Sequence, residues 1–261
     1  MTLMPHRFIA SLMVAAALTV APAARAVDYT DIWYDPAESG WGVNLVQGHD
    51  VLFATFFVYG QALQPTWYIA VLTNDGTGVF SGSLYVTSGS WLGAPWDPTQ
   101  SGINGVGSAT FRPIAADAGV LSYNVSATAV SKTIVRQTLR TIILGGGYLG
   151  GVVADQFSCS NPLANITVRR SGAISVDQST TGGGQINFAF ADGVRCSLRG
   201  NLVQRGQLYS IPGAIYTCST GLNTTANVTE LHATAQGIEG RWSAGVGGGC
   251  TEQGRFAGVL E

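Results

Sequence analysis

Charge is scarce in this sequence. Asp, Glu, Lys and Arg make up 11% of 261 residues, and Lys132 is the single lysine. Thirteen basic residues stand against 15 acidic ones, and no run of cations marks a stripe along the chain. Phosphate neutralisation needs clustered cations, so nucleic acid is not an expected partner. Low charge beside 46% hydrophobic residues also argues against disorder. Histidine is limited to His6, His49 and His232, which leaves no paired-histidine spacing for a metal. No G-x-S-x-G elbow, H-E-x-x-H helix or P-loop is present. Gly145–Gly150 spells G-x-G-x-x-G, but no helix-forming pattern follows it. No cofactor, metal or catalytic residue is therefore assigned. The 35 glycines lack a Gly-X-Y period, which excludes collagen. No apolar run is long enough to span a bilayer.

The N-terminus does carry a signal. His6 and Arg7 precede an apolar run from Phe8 to Val20, and Ala24-Arg25-Ala26 supplies small residues for cleavage before Val27. Residues 1–26 read as a secretory signal peptide, which implies a periplasmic or secreted protein in an oxidising setting.

Beyond the leader, no segment keeps a helical period, and short apolar runs alternate with glycine turns. Trp41–Gln47, Val51–Tyr59, Thr66–Thr73 and Val79–Thr87 read as a meander, with Asn74-Asp75-Gly76 as a hairpin turn. Gly105–Arg112, Gly119–Ser126 and Lys132–Leu144 continue it. The glycines at 145–147 and 150–151 are the expected boundary. The reading is all-β: two small antiparallel sandwiches or barrels, over 27–144 and 145–261, with one continuous two-sheet structure as the alternative. Val51–Tyr59 is apolar on both faces: Val51, Phe53 and Phe57 on one, Leu52, Phe56 and Val58 on the other. One face fills a core; the other meets protein, a partner or an apolar ligand.

Cysteine is absent before Cys159. Cys159, Cys196, Cys218 and Cys250 imply two disulfides in an exported chain. A hairpin of Val194–Gln204 with Gln207–Cys218 about Arg205-Gly206 sets Cys196 opposite Ile215, about 10 Å of strand from Cys218. That register favours Cys159–Cys196 with Cys218–Cys250 and leaves the crossed pairing open.

Five of the six tryptophans lie between Trp33 and Trp96. The segment runs Pro36-Ala37-Glu38-Ser39-Gly40-Trp41-Gly42-Val43-Asn44, then Gln47-Gly48, then Phe53-Ala54-Thr55-Phe56-Phe57-Val58-Tyr59, then Pro65-Thr66-Trp67-Tyr68. Over Trp33–Tyr68 it resembles a motif of uncharacterised exported bacterial proteins, P-x-E-S-G-W-G-x-N, Q-G, F-A-T-x-F-x-Y and P-x-W-Y. The resemblance implies export and a β fold and transfers no catalytic residue. His49 at the tip of the turn after Gln47-Gly48 is a departure from it.

Two readings fit these aromatics. Trp41, Trp67 and Tyr68 can stack on sugar rings while Glu38, Asn44 and Gln47 bond hydroxyls; alternatively the rings are core and Glu38 holds backbone N–H groups. Trp91 and Trp96 flank Gly93 and Pro95 in a connection, where exposed aromatics mark binding surfaces. Asp35 with Glu38, and Glu230 with Glu239 near His232, are the carboxylate pairs for glycosidase-type chemistry. The expectation is an exported, non-enzymatic β protein binding a polysaccharide, another envelope component or a protein through its Trp-rich N-terminal part. A polysaccharide hydrolase or lyase and a barrel carrier of an apolar ligand are the alternatives.

Overall fold

The structure is a computed structural model that describes residues 27–261; the expected signal peptide lies outside the described residues. Two antiparallel up-and-down barrels follow one another. The first closes through eight strands: β1 (Asp31–Tyr34), β2 (Gly42–Gly48), β3 (Val51–Tyr59), β4 (Pro65–Asn74), β5 (Phe80–Ser88), β6 (Gly102–Ala115), β7 (Ala118–Val125) and β8 (Thr128–Arg136). β1 pairs with β8 through Trp33 opposite Arg136. The second contains β9 (Gly146–Phe157), β10 (Thr167–Gln178), β11 (Gly183–Phe190), β12 (Arg195–Asn201), β13 (Val203–Arg205), β14 (Leu208–Cys218), β15 (Asn223–Ala233), β16 (Gly237–Val246) and β17 (Cys250–Leu260). β9 pairs with β17 and β12 with β14, which closes it, while short β13 prolongs the β14 edge. Among the described residues no helix is long and apolar enough to cross a membrane.

Alternation builds both cores. In β11 every second residue, Gly184, Ile186, Phe188 and Phe190, is buried, while Gln185 and Asn187 between them form a polar ladder to Asp177. In β3, Leu52, Ala54 and Phe56 are fully buried with Trp33, Phe111 and Leu121. Each large apolar side chain so buried contributes roughly 1.5–3 kcal/mol. Eight-stranded barrels are just wide enough for such filling. Apolar interiors are the reverse of a membrane-spanning barrel, whose lumen is polar.

Local geometry corrects several expectations. The glycine cluster is largely strand, not linker. A Cβ on Gly150 would lie 2.0 Å from the Ala257 carbonyl, so β9 can pass here only without side chains. The chain between barrels is residues 137–145, the segment in which the expected 144/145 boundary falls, and Leu144 is already buried in the second core. β8 ends at Arg136 rather than continuing to Leu144.

The disulfides are Cys159–Cys250 and Cys196–Cys218, not the favoured pairing. The error is one of register. The two-residue turn is Gly206-Gln207, with Arg205 opposite Leu208, which slides the hairpin by two positions. An irregularity near Pro212 and Gly213 (φ +62°) adds a third, and Cys196 then faces Cys218 directly. All four thiols are bridged, which fits an extracytoplasmic setting.

Candidate functional site

In the first barrel one end faces the second barrel and the other points away. The far end gathers the loops 35–41, 60–64, 89–101 and 126–127. Three tryptophans are exposed there: Trp91 at 77%, Trp96 at 64% and Trp67 at 52%, beside Tyr59, Leu63, Leu92 and Ile103.

The 89–101 loop is a hydrogen-bonded frame. Ser90 Oγ donates to the Asp97 carbonyl at 2.8 Å and accepts from the Asp97 N–H at 2.9 Å, closing the base. The Asp97 carboxylate accepts from the Thr99 hydroxyl and N–H and from the Gln100 amide. The Thr99 hydroxyl bond, foremost, holds this carboxyl below its ordinary value. Trp91 lies over Gly93, where any Cβ would strike the ring, and Trp96 rests beside Gly89. The rings are therefore seated on their own loop yet open to solvent.

The barrel mouth beside them is polar and aromatic. Glu38 accepts from Lys132 Nζ and from Trp41 Nε1 at 3.1 Å. The lysine bond, foremost, lowers the Glu38 carboxyl and raises the Lys132 ammonium. Tyr68 and Tyr123 line the same mouth, packed against the core; burial, then the neighbouring Tyr68, raises the Tyr123 phenol.

The expected residues therefore separate. Glu38, Trp41, Trp67, Tyr68, Trp91 and Trp96 share one end. Asn44 lies on the outer face of β2, opposite Thr55. Gln47 is at the opposite end, where its amide accepts from the Tyr29 N–H at 2.8 Å and donates to the His49 carbonyl. Trp33, not Trp41, is the fully buried core ring. Trp41 is half-buried on the rim, and Trp67 projects outward.

The outer face of β3 continues this surface. Val46, Phe53 and Val71 form one cross-strand row and Phe57 with Trp67 another, all at least 41% exposed. The two-sided strand thus packs inward through Leu52, Ala54 and Phe56 and leaves its other face to solvent.

The carboxylate pairs are occupied by structure. Asp35 caps the Ala37 N–H at 2.9 Å, and a lowered Glu38 is the opposite of a general acid. Glu230 and Glu239 do share a cavity of about 420 Å³ between the barrels with His232, Asp28 and Arg136. Glu230 sits on a bulge of β15 at φ +53° and pairs with Arg241 at 3.0 Å.

Sequence reasoning missed two buried polar groups. Arg136 is 3% exposed, stacks 5.0 Å from the Trp33 ring, and donates to the carbonyls of Ala116, Thr30 and Asp28 and to the Asp31 carboxylate. Glu252, 5% exposed inside the second barrel, accepts from Trp242 Nε1 and Gln156 Nε2, each at 2.9 Å. Glu252 shares the inward phase of β17 with Gly254 and Phe256, the one signal that could have exposed it.

No protein-family model and no curated protein matches the chain. Among solved structures, a protein of Bacteroides fragilis described as a "putative outer membrane protein" is 11% identical, with 89% of this chain and 96% of that one covered and a TM-score of 0.35. A protein of unknown function from the DUF3598 family of Nostoc punctiforme is 10% identical, with 88% and 93% covered and a TM-score of 0.25. Likeness at that level transfers no residue and no activity.

Proposed function

We propose that this is an exported binding protein that takes a polysaccharide at the far end of its first barrel. The observation that carries the reading is the exposure of Trp67, Trp91 and Trp96 at one end, two of them on a loop fixed by Ser90 and Asp97. Exposed aromatics on a rigid loop lose little entropy on binding and offer flat apolar faces to the C–H side of a sugar ring. The Glu38 carboxylate, Lys132 and the Tyr68 hydroxyl lie at the same end of the barrel and can serve as polar partners. Hydrolysis is the weaker reading, because Glu38 is held ionised by Lys132. A carrier is weaker too: the first barrel is filled by Trp33, Phe56 and Phe111, and the void inside the second is about 50 Å³.

The test is a pull-down of the mature chain on a panel of insoluble polysaccharides. Trp91→Ala with Trp96→Ala is expected to weaken retention at least about tenfold, a loss of about 1.4 kcal/mol, with the thermal midpoint unchanged. Retention equal to the wild type, or no polysaccharide retained by the wild type, overturns the reading.

A further inference from the structure

Arginines scattered in sequence meet on the outside of the second barrel. The pairing register places Arg169 opposite Val153, Val153 opposite Arg255, and Arg255 opposite Arg241. One row therefore crosses β10, β9, β17 and β16, and its three cations span three strand spacings, about 14 Å. Like charges directly opposite one another, as Arg255 and Arg241 are, destabilise a sheet unless an anion lies between them. Glu230 pairs with Arg241. The side chains of Arg169 and Arg255 are exposed and make no hydrogen bond or ion pair among the described residues. Asp155, the acid nearest along β9, is turned to the Thr167 hydroxyl instead.

The row lines a groove. A cavity of about 620 Å³ holds all three arginines with Asp155, Gln253 and Ser243, and it runs into the cleft between the barrels through shared Val153, Arg241 and Arg255. We propose that this groove binds an acidic polysaccharide, with Arg255 and Arg169 gripping successive carboxylates. Guanidinium forks match carboxylates two bonds at a time. The amide and hydroxyl groups of Gln253, Ser243 and Thr229 beside the row suit sugar hydroxyls. A linear groove lined by guanidinium, amide and hydroxyl groups suits an extended acidic chain.

The test uses the mature chain, soluble polygalacturonate as probe and dextran as neutral control, with affinity read by calorimetry at low and high salt. Arg169→Gln with Arg255→Gln is expected to raise Kd about tenfold or more, with the thermal midpoint unchanged, and added salt should mimic the loss. Arg255→Lys, which keeps charge but not the fork, should fall between. Wild-type affinity in the double variant overturns the proposal, as does dextran binding equal to polygalacturonate. Equal affinity for phosphatidylglycerol vesicles or inorganic phosphate reassigns the groove to a lipid headgroup or a small anion and also overturns it. The Arg169→Gln, Arg255→Gln variant is expected to keep wild-type retention on the insoluble polysaccharides that test the aromatic end, so failure here is separable from failure of that reading.

Discussion

Replacing Arg136 with Met keeps the length of the side chain and removes its charge. Arg136 closes the first barrel between β1 and β8, is 3% exposed, and is hydrogen-bonded to three carbonyls and to Asp31. Asp31 is buried as well, its side chain 7% exposed, so Arg136→Met strands a carboxylate in the interior. Breaking one half of a buried pair costs about 3–5 kcal/mol, and loss of the stack on Trp33 adds about 0.5–2 kcal/mol. Against a domain stability of about 5–15 kcal/mol, that is a large fraction. With a urea m-value near 2 kcal/mol per M, a loss of about 4 kcal/mol lowers the midpoint by about 2 M. Urea unfolding of residues 27–261, followed by near-ultraviolet circular dichroism of the tryptophans, reads this directly. The cause is isolated by Asp31→Asn: if the stranded charge dominates, the double variant should recover at least about 1 kcal/mol relative to additivity. An Arg136→Met cost below about 1 kcal/mol, or strict additivity, would refute the reasoning.

Trp33→Ala should cost about 3–5 kcal/mol, and half-buried Trp41→Ala clearly less, in the same denaturation assay. Replacing Cys159 and Cys250 by Ala opens a loop of 91 residues and replacing Cys196 and Cys218 one of 22; loop entropy predicts losses of about 4.6 and about 3.4 kcal/mol, and a reversed order in calorimetry would contradict it. Burial, with the Glu252 carboxylate beside it, raises the Tyr216 phenol. Stability from that group is full below the unfolded value of about pH 10 and is lost as pH rises toward the folded one, so Tyr216→Phe should flatten the alkaline limb of a stability–pH curve. Residues 27–137 expressed alone should unfold cooperatively on heating, since they hold every strand of the first barrel and no cysteine; a gradual melt would argue that each half completes the other's core.

Period-two alternation made the all-β class and most strands legible, because burial on one side imposes it. What stayed hidden depended on register. Cys196 and Cys218 face one another only after a turn displaced to Gly206-Gln207 and a bulge near Pro212 have moved the strand three places. The arginine row is hidden for the same reason: Arg169, Arg241 and Arg255 become neighbours only through pairing across four strands. β1 is just Asp31–Tyr34 and carries little periodicity, yet its Trp33 is a fully buried ring of the first core. At the candidate site, the exposed Trp91 and Trp96 were legible because Gly and Pro flank them. Trp41 and Trp67 were not, since a strand tryptophan looks alike in sequence whether it faces the core or the solvent.

Gly206 stands at a hairpin tip pressed against the first barrel. Its φ is +61°, its N–H bonds to Thr138 Oγ1, and a Cβ there would lie 2.3 Å from Asp31 Oδ2 and 2.7 Å from Arg136 Cβ. The seat has no room for a side chain, so the two barrels meet here through bare backbone. A side chain here would have to push one barrel against the other, shifting the cleft between them without touching the tryptophan loop at the far end. The relative orientation of the exposed tryptophans and the arginine row thus depends on one position whose hairpin neighbours, Gln207 and Leu208, line the cleft that Arg241 and Arg255 also line.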